Sequence, residues 1–453
     1  METSLGHRID IVQIGLRAKR FLLPLAALTV TIVLAGCSDR RPPTAPAVQG
    51  IARGIYREPP LGIDSVRGEC AGKIALAPFL PHLQLQAQPY PVVYDCASKT
   101  FEVLNRHDNI VSVTDLTLTS DGYYMHQSQI TDGIWHGEYY LYDRSGKEIG
   151  ALPQPDQPKV HDLILRDQEV TYIKYYDDWD AATCSQNAPL EFDIITDDRN
   201  GKTRWKWSSK GKLKTRDLVA TEKSMAEPPV GRGKKMFRAV RHCYTSLARR
   251  LVNFEPPAWF LGYGDLPVFQ LEENDYAHVN SIQRIEPSGD IIFSARHQDT
   301  IYRIDRKTGA FNWTLGGKFS VATPNRPVDD PRGGFSHAHY TRLVGNTLWV
   351  FDNANLFQDL PSRVVAYQLD SKPQPNRMTF QFLEPNGKQR YAAGSVEVID
   401  DNHILIGWGA VAPGDTRTPQ RGVSIVRLDD RKEIFSMDLS PGWISYRVRA
   451  SSR

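Results

Sequence analysis

Two phrases alternate along most of the chain, and together they leave few folds open. The first reads as two strands joined by a tight turn. It appears as VTDLTLTSDGYYMH (113–126), HDLILRDQEVTYI (161–173), HVNSIQRIEPSGDIIFSAR (278–296), HYTRLVGNTLWVFD (339–352) and SVEVIDDNHILIGW (395–408). The second follows it each time and turns on Asp-x-x-Gly or Asp-x-x-x-Gly. Its clear copies are YYLYDRSGKEIG (139–150), DIITDDRNGKTRWKW (193–207) and IYRIDRKTGAFNWTL (301–315). Looser copies are VVAYQLDSKPQPNRMTFQF (364–382) and VSIVRLDDRKEIFSMDL (423–439). Val, Ile, Tyr and Phe fill the strands, and Asp, Asn and Gly supply turn positions of positive φ. Long helical periodicity is missing from most of the body. Four strands per pair of phrases is the content of one β-propeller blade. Five units are visible, and a sixth is expected from residues 63–112 with the C-terminal strand closing it. The predicted fold class is all-β: a six-bladed β-propeller with long inter-strand loops over residues 63–453.

Ahead of the repeats lies a targeting segment. Arg17, Lys19 and Arg20 precede the uncharged run FLLPLAALTVTIVLAG (21–36), broken by Pro24 and ending Leu34-Ala35-Gly36-Cys37. The run is short for a membrane span and suits a signal peptide. Small residues before a Cys have the pattern of a bacterial lipobox. Residues 1–36 are therefore expected to be a lipoprotein signal peptide and Cys37 the lipidated residue. Pro-rich, polar residues 37–62 are expected to be a linker. The expected location is the bacterial cell envelope, lipid-anchored, with the membrane as a partner through the anchor. Ser38 after the Cys is typical of delivery to the outer membrane, facing the periplasm. In that oxidising compartment Cys70, Cys96, Cys184 and Cys243 can form two disulfides, with three pairings open. The local pairing, Cys70–Cys96 with Cys184–Cys243, is the expected one. No CxxC spacing exists, and no metal site is expected.

Charge narrows the partners. The formal net charge is +3, of which the first 36 residues carry +2. A near-neutral body argues against nucleic acid as a partner. The largest insertion, 208–270, holds the basic run GRGKKMFRAVRH (231–242), read as a solvated face with a short helix nearby. The chain carries no GxGxxG, GxxxxGK[ST], GxSxG or HExxH, so nucleotide-dependent and serine-hydrolase chemistry lose their usual support.

Histidine is the outlier. Four of the twelve, His278, His297, His337 and His339, fall between 278 and 339. His161, His278 and His339 each open a blade's first phrase. Equivalent points in successive blades lie on one ring around the central axis, so these three are expected to converge. Asn280 follows His278 on the same strand face, and Arg296 ends the paired strand. Three imidazoles, an amide and a guanidinium suit a tetrahedral oxyanion. The guanidinium fork binds two oxygens, and a neutral imidazole can act as nucleophile or as acid and base near neutral pH. His297 and His337 are read as structural. Tyr175, Tyr176, Trp179 and Phe357 are read as loop packing rather than as a phenol platform.

At this point the chain resembles a family, the arylsulfate sulfotransferases, in particular the broader arylsulfotransferase-like branch. The resemblance covers about residues 110–450. It is strongest in HVNSIQRIEPSGDIIFSARHQDTIYRIDRKTGAFNWTLGG (278–317), FSHAHYTRLVGNTLWVFDNAN (335–355), ILIGWG (404–409) and SYRVRA (445–450). It implies a six-bladed propeller that moves a sulfuryl group from an aryl sulfate to a phenol. No PAPS or other cofactor is implied; the partners are the small-molecule donor and acceptor. In that family one histidine is transiently sulfated, and by motif position that is His339. Supporting histidines fall on His278 and His161, and sulfate-binding residues on Asn280 and Arg296. The alternative is a non-catalytic propeller lipoprotein, an envelope scaffold or ligand-binding module. Asp305, Gly309 and Trp313 form a blade-docking phrase also found in such propellers.

Overall fold

The computed structural model describes residues 52–80, 89–106, 110–131, 134–152, 162–166, 169–175, 179–180, 185–186, 191–213, 277–357, 359–369, 376–411 and 417–451. Expectations for residues 1–51, His161, Tyr176, Cys184, Cys243 and the basic run 231–242 with its helix lie outside them. The described strands build six antiparallel blades, each named here from its innermost strand outward. Blade 1 is Ile444–Ala450, Lys73–Phe79, Val92–Asp95 and Thr100–Val103, with Gly54–Tyr56 on its outer edge. Blade 2 is Ile110–Thr119, Gly122–Thr131, Ile134–Asp143 and Glu148–Ala151. Blade 3 is Leu163–Arg166, Glu169–Tyr175, Phe192–Asp198 and Thr203–Ser208. Blade 4 is Val279–Ile285, Asp290–Ala295, Thr300–Ile304 and Phe311–Gly316. Blade 5 is Ala338–Val344, Thr347–Asp352, Arg363–Gln368 and Arg377–Leu383. Blade 6 is Ser395–Asp400, His403–Gly407, Gln420–Arg427 and Glu433–Leu439, with Ile63–Gly68 added outside.

The ring is closed from both ends of this body. The C-terminal strand is the innermost strand of blade 1, with Ile74 opposite Ala450 and Phe79 opposite Ile444. Ile63–Gly68 pairs with the outer strand of blade 6, Val66 opposite Met437. Residues 63–112 therefore do not all belong to one blade: their first strand joins blade 6, and Ile110 already starts blade 2. The Cys70–Cys96 disulfide staples the crossing between these two blades.

The turn phrases work as their chemistry dictates. Asp143 Oδ1 accepts from Ser145 Oγ and Lys147 N, Asp198 Oδ1 from Asn200 N and Lys202 N, and Asp305 Oδ1 from Lys307 N and Thr308 N. Gly146, Gly201 and Gly309 follow at φ of 74°, 76° and 69°, which a side chain would strain.

Each junction between blades has its own apolar cluster, because every blade is buried on both faces. Ile173, Phe192, Ile194 and Trp207 of blade 3 meet Ile282, Ile291 and Phe293 of blade 4. Tyr340, Phe351 and Val364 of blade 5 meet Ile406, Trp408 and Val426 of blade 6. Leu76, Tyr94 and Phe101 of blade 1 meet Leu405, Ile425 and Phe435 of blade 6. Polar docking adds direction: Trp205 and Trp207 Nε1 donate to the carbonyls of Arg306 and Gly309 in blade 4's outer turn (2.9 and 3.0 Å).

Candidate functional site

Antiparallel pairing puts the start of each innermost strand and the end of its partner on one face of the ring. On that face of blade 4 stand His278, Asn280 and Arg296; on that of blade 5 stand His337, His339 and Asn353. The register fixes which are equivalent. Val279 is opposite Ala295, and Ala338 is opposite Asp352. His278 (φ 45°) and His337 (φ 56°) thus occupy the same left-handed position just before their strands. His339 is the counterpart of Asn280, two residues further in. The sequence expectation that His278 and His339 are equivalent is corrected here: their blades enter the ring in step, but His337 holds the place of His278.

Around His278 the imidazoles gather. His297, in the 3-10 turn Arg296–Gln298, stacks on His278 with ring centroids 4.5 Å apart, and His337 meets His297 edge-on at 6.5 Å. The backbone closes the same corner, with Arg296 N donating to His278 O at 3.3 Å. Asp299 holds the two blades' loops together. Its Oδ1 accepts from His337 N (2.8 Å) and its Oδ2 from Phe319 N (3.0 Å). Burial pushes the Asp299 carboxyl up to about 7. A Cβ on Gly317 would meet this carboxylate at 2.5 Å, so the second glycine of Leu315-Gly316-Gly317 is required by a close approach.

His339 makes a contact beyond its neighbouring blades. Its Nε2 lies 3.0 Å from the hydroxyl of Tyr446 on the innermost strand of blade 1. Blades 5 and 1 flank blade 6, so this bond passes across the inner end of blade 6. Burial pushes the Tyr446 phenol up to about 12; Arg447, Asp162 and Arg296 act on it less, the two arginines opposing the rise. Arg296 is thus within electrostatic reach of the His339–Tyr446 pair.

Deeper along the axis the ring is filled with paired charge. Arg447 Nη1 donates to Asp162 Oδ1 (2.6 Å), and its Nη2 donates to the Asn280 carbonyl. Arg449 donates to Asp115 (3.0 and 3.2 Å), to the Tyr340 hydroxyl and to Glu397 (2.8 Å). Between them the two arginines reach the innermost strands, or the residue just before one, of all five other blades. Burial would raise the Asp115 carboxyl, but Arg449 and Arg447 outweigh it and hold it below the usual range. Stripping one member from such a lattice leaves a buried charge unpaired, at a cost of about 3–5 kcal/mol.

Asn280 sits directly above this floor. Its Oδ1 accepts from Ser294 Oγ (2.8 Å), while its buried Nδ2 has no hydrogen-bond partner among the described residues. Ser281 Oγ accepts from Thr341 N (3.2 Å), which ties this strand to the one bearing His339. Asn353, in the place that Arg296 holds in blade 4, donates to Arg390 O and Ala393 O, and the neighbouring Gly394 N donates to Tyr446 O.

Of the residues expected from sequence, His278, Asn280, Arg296 and His339 share this face. Tyr175 is blade packing: its hydroxyl accepts from Val279 N at 2.6 Å. Phe357 packs on Phe319. No group of three or more His, Cys, Asp or Glu suited to a metal occurs among the described residues. Tyr446, Arg447 and Asp162 were not anticipated. The signal was available for Tyr446, since a C-terminal strand closing blade 1 must start on the histidine face.

Fold and site together define a six-bladed propeller with an imidazole-rich face above a charge-paired axial floor. The chain belongs to the arylsulfotransferase (ASST) family, whose model matches residues 78–447. Membership supports an aryl sulfotransferase function in general terms. No curated protein matches the sequence significantly. Among solved structures, a protein of unknown function from Bacteroides caccae is 9% identical with a TM-score of 0.46, covering 84% of this chain and 98% of its own. A protein from Lactobacillus plantarum is 10% identical at 0.43, covering 84% and 100%. A putative 6-phosphogluconolactonase from Bacteroides uniformis is 9% identical at 0.39, covering 82% of each. At these values they bear on neither site nor reaction.

Proposed function

We propose that this protein transfers a sulfuryl group from an aryl sulfate to a phenol, without a nucleotide donor, through a sulfated His339. The observation that carries the reading is His339 at the position in blade 5 that Asn280 holds in blade 4, with the Asn280 amide donor unmet among the described residues. His339 Nε2 attacks sulfur; the N–S bond forms as the S–O bond to the aryl group breaks, and the electron pair leaves on the phenolate. Asn280 Nδ2 and Arg296 hold sulfuryl oxygens, so that positioning and fixed dipoles do most of the work. His278, or His161, takes and returns the proton exchanged with leaving and incoming phenols. The acceptor phenol then attacks sulfur, the N–S bond breaks, and its pair returns to Nε2. Such a double displacement gives ping-pong kinetics.

The test is release of 4-nitrophenol from 4-nitrophenyl sulfate by a chain lacking residues 1–37, with and without phenol. The reading requires release that depends on phenol, and its loss in His339→Ala with thermal unfolding unchanged. Phenol-independent release, or a loss of only a few-fold in the variant, contradicts it. Location is part of the same proposal: the lipobox pattern at Cys37 supports an envelope protein anchored by lipid. Cys37→Ser is expected to abolish labelling by radioactive palmitate and shift the protein to the soluble fraction; unchanged labelling would refute the anchor.

A further inference from the structure

Resting on the sulfohistidine reading, we infer that Tyr446 is a catalytic residue whose hydroxyl hands its hydrogen bond from His339 Nε2 to a sulfuryl oxygen as the N–S bond forms. The geometry carries this. At rest the hydroxyl and Nε2 are 3.0 Å apart. Nε2 can attack sulfur only through its lone pair, so in the reactive tautomer Tyr446 is the donor and that lone pair is what it caps. The bond must therefore break when sulfur arrives. Sulfuryl oxygens on a nitrogen-bound sulfur lie two bonds from Nε2, which is where a hydroxyl so close to that nitrogen can reach. The aryl sulfate already carries these oxygens, but they come within reach of the hydroxyl only as sulfur closes on Nε2, so the new bond is made on the way to the transition state rather than on first binding.

Two features keep the phenol in this role. Its strand is held by Gly394 N on Tyr446 O and, one residue on, by the Arg447–Asp162 pair. Burial keeps it un-ionised, pushed up to about 12, so it donates a hydrogen bond without releasing its proton to a departing phenolate. The proton balance of the two half-reactions is unchanged: the imidazole base gives its proton to the first phenolate and regains one from the acceptor phenol. A retained proton also protects Tyr446 from becoming an acceptor itself.

The experiment compares wild type with Tyr446→Phe on a series of aryl sulfates whose leaving phenols differ in acidity. Removing one preorganised donor to a developing oxyanion lowers kcat by about 10²-fold. The expected result is a fall of that order, by the same factor for every donor, with KM and thermal unfolding little changed. A rate that is unchanged or faster means the hydroxyl only masks the lone pair, and overturns the inference. A loss that grows as the leaving phenol becomes less acidic makes Tyr446 a proton donor, and overturns it too. Wild type inactive on every donor overturns this inference and the proposed function together; active wild type with an indifferent variant overturns this inference alone.

Discussion

At the residue scale the molecule is shaped by polar groups held out of water. Asp299 and His126 are both fully buried, and burial moves them in opposite directions, to about 7 and about 4. For Asp299 the folded value lies above the unfolded one, so the native state holds a proton that the unfolded chain has lost. Its contribution is complete below about pH 4 and disappears as pH rises to about 7. For His126 the folded value lies below the unfolded one, so its contribution grows from about pH 4 to about pH 6.5. Each slope is about 1.4 kcal/mol per pH unit, and over most of this window the two cancel. Asp299→Asn removes one of them. Its stability relative to wild type, from denaturant unfolding, should improve as pH rises from about 4 to about 7; parallel pH profiles would refute the assignment. Sequence reading reached His278, Asn280, Arg296 and His339 because the imidazoles cluster along the chain. It misjudged which were equivalent because it aligned histidines with one another. Counting back from the hairpin turns, Ile285 against Val344, puts His337 opposite His278. Asp162 and Arg447 gave no such signal, since an Asp before a strand and an Arg within one carry no mark of the partner that will meet them.

At the element scale the alternating phrases were enough to lay out blades 2 to 6, because a hairpin is a local object: its turn residues and its strands are written together. Blade 1 was harder. Its innermost strand is contributed by Ile444–Ala450 and its others by residues from Lys73 onward, so no local pattern announces it. Ile63–Gly68 was assigned to the wrong blade for the same reason. Both strands meet at the junction of blades 6 and 1, the place where the ring can open. The Cys70–Cys96 bond spans a separation of 26 residues there. A loop of that order restricts the unfolded chain by about 3 kcal/mol. Cys70→Ser with Cys96→Ser is expected to lose about that much in denaturant unfolding, and an unchanged midpoint would show that strand pairing alone secures the junction. The Cys70–Cys96 pairing was legible because the two cysteines flank one pair of neighbouring strands, Lys73–Phe79 and Val92–Asp95.

At the scale of the whole molecule, function depends on closure. Tyr446 reaches His339, and Arg447 and Arg449 tie the remaining blades, only if the last strand is seated in the first blade. A ring built from separate apolar junctions has no single core; it has a sequence of interfaces, and among the described residues the hydrogen bonds of Arg447 and Arg449 link blade 1 to all five others. The proposed substrate site lies against that lattice of paired charge, so under this proposal the polar groups that would hold a sulfuryl oxyanion are fixed before it binds. Fixed dipoles of this kind need no reorganisation during reaction, which is the advantage the proposed mechanism draws from a buried amide and a buried histidine.

The most direct test of this account is to expose the purified protein to an aryl sulfate with no phenol present, quench it, and read the peptide bearing His339 by mass spectrometry. The account predicts that this peptide gains the mass of one sulfuryl group, and that adding phenol before the quench removes it. Turnover in the presence of phenol, with His339 unmodified at every time sampled in its absence, would contradict it.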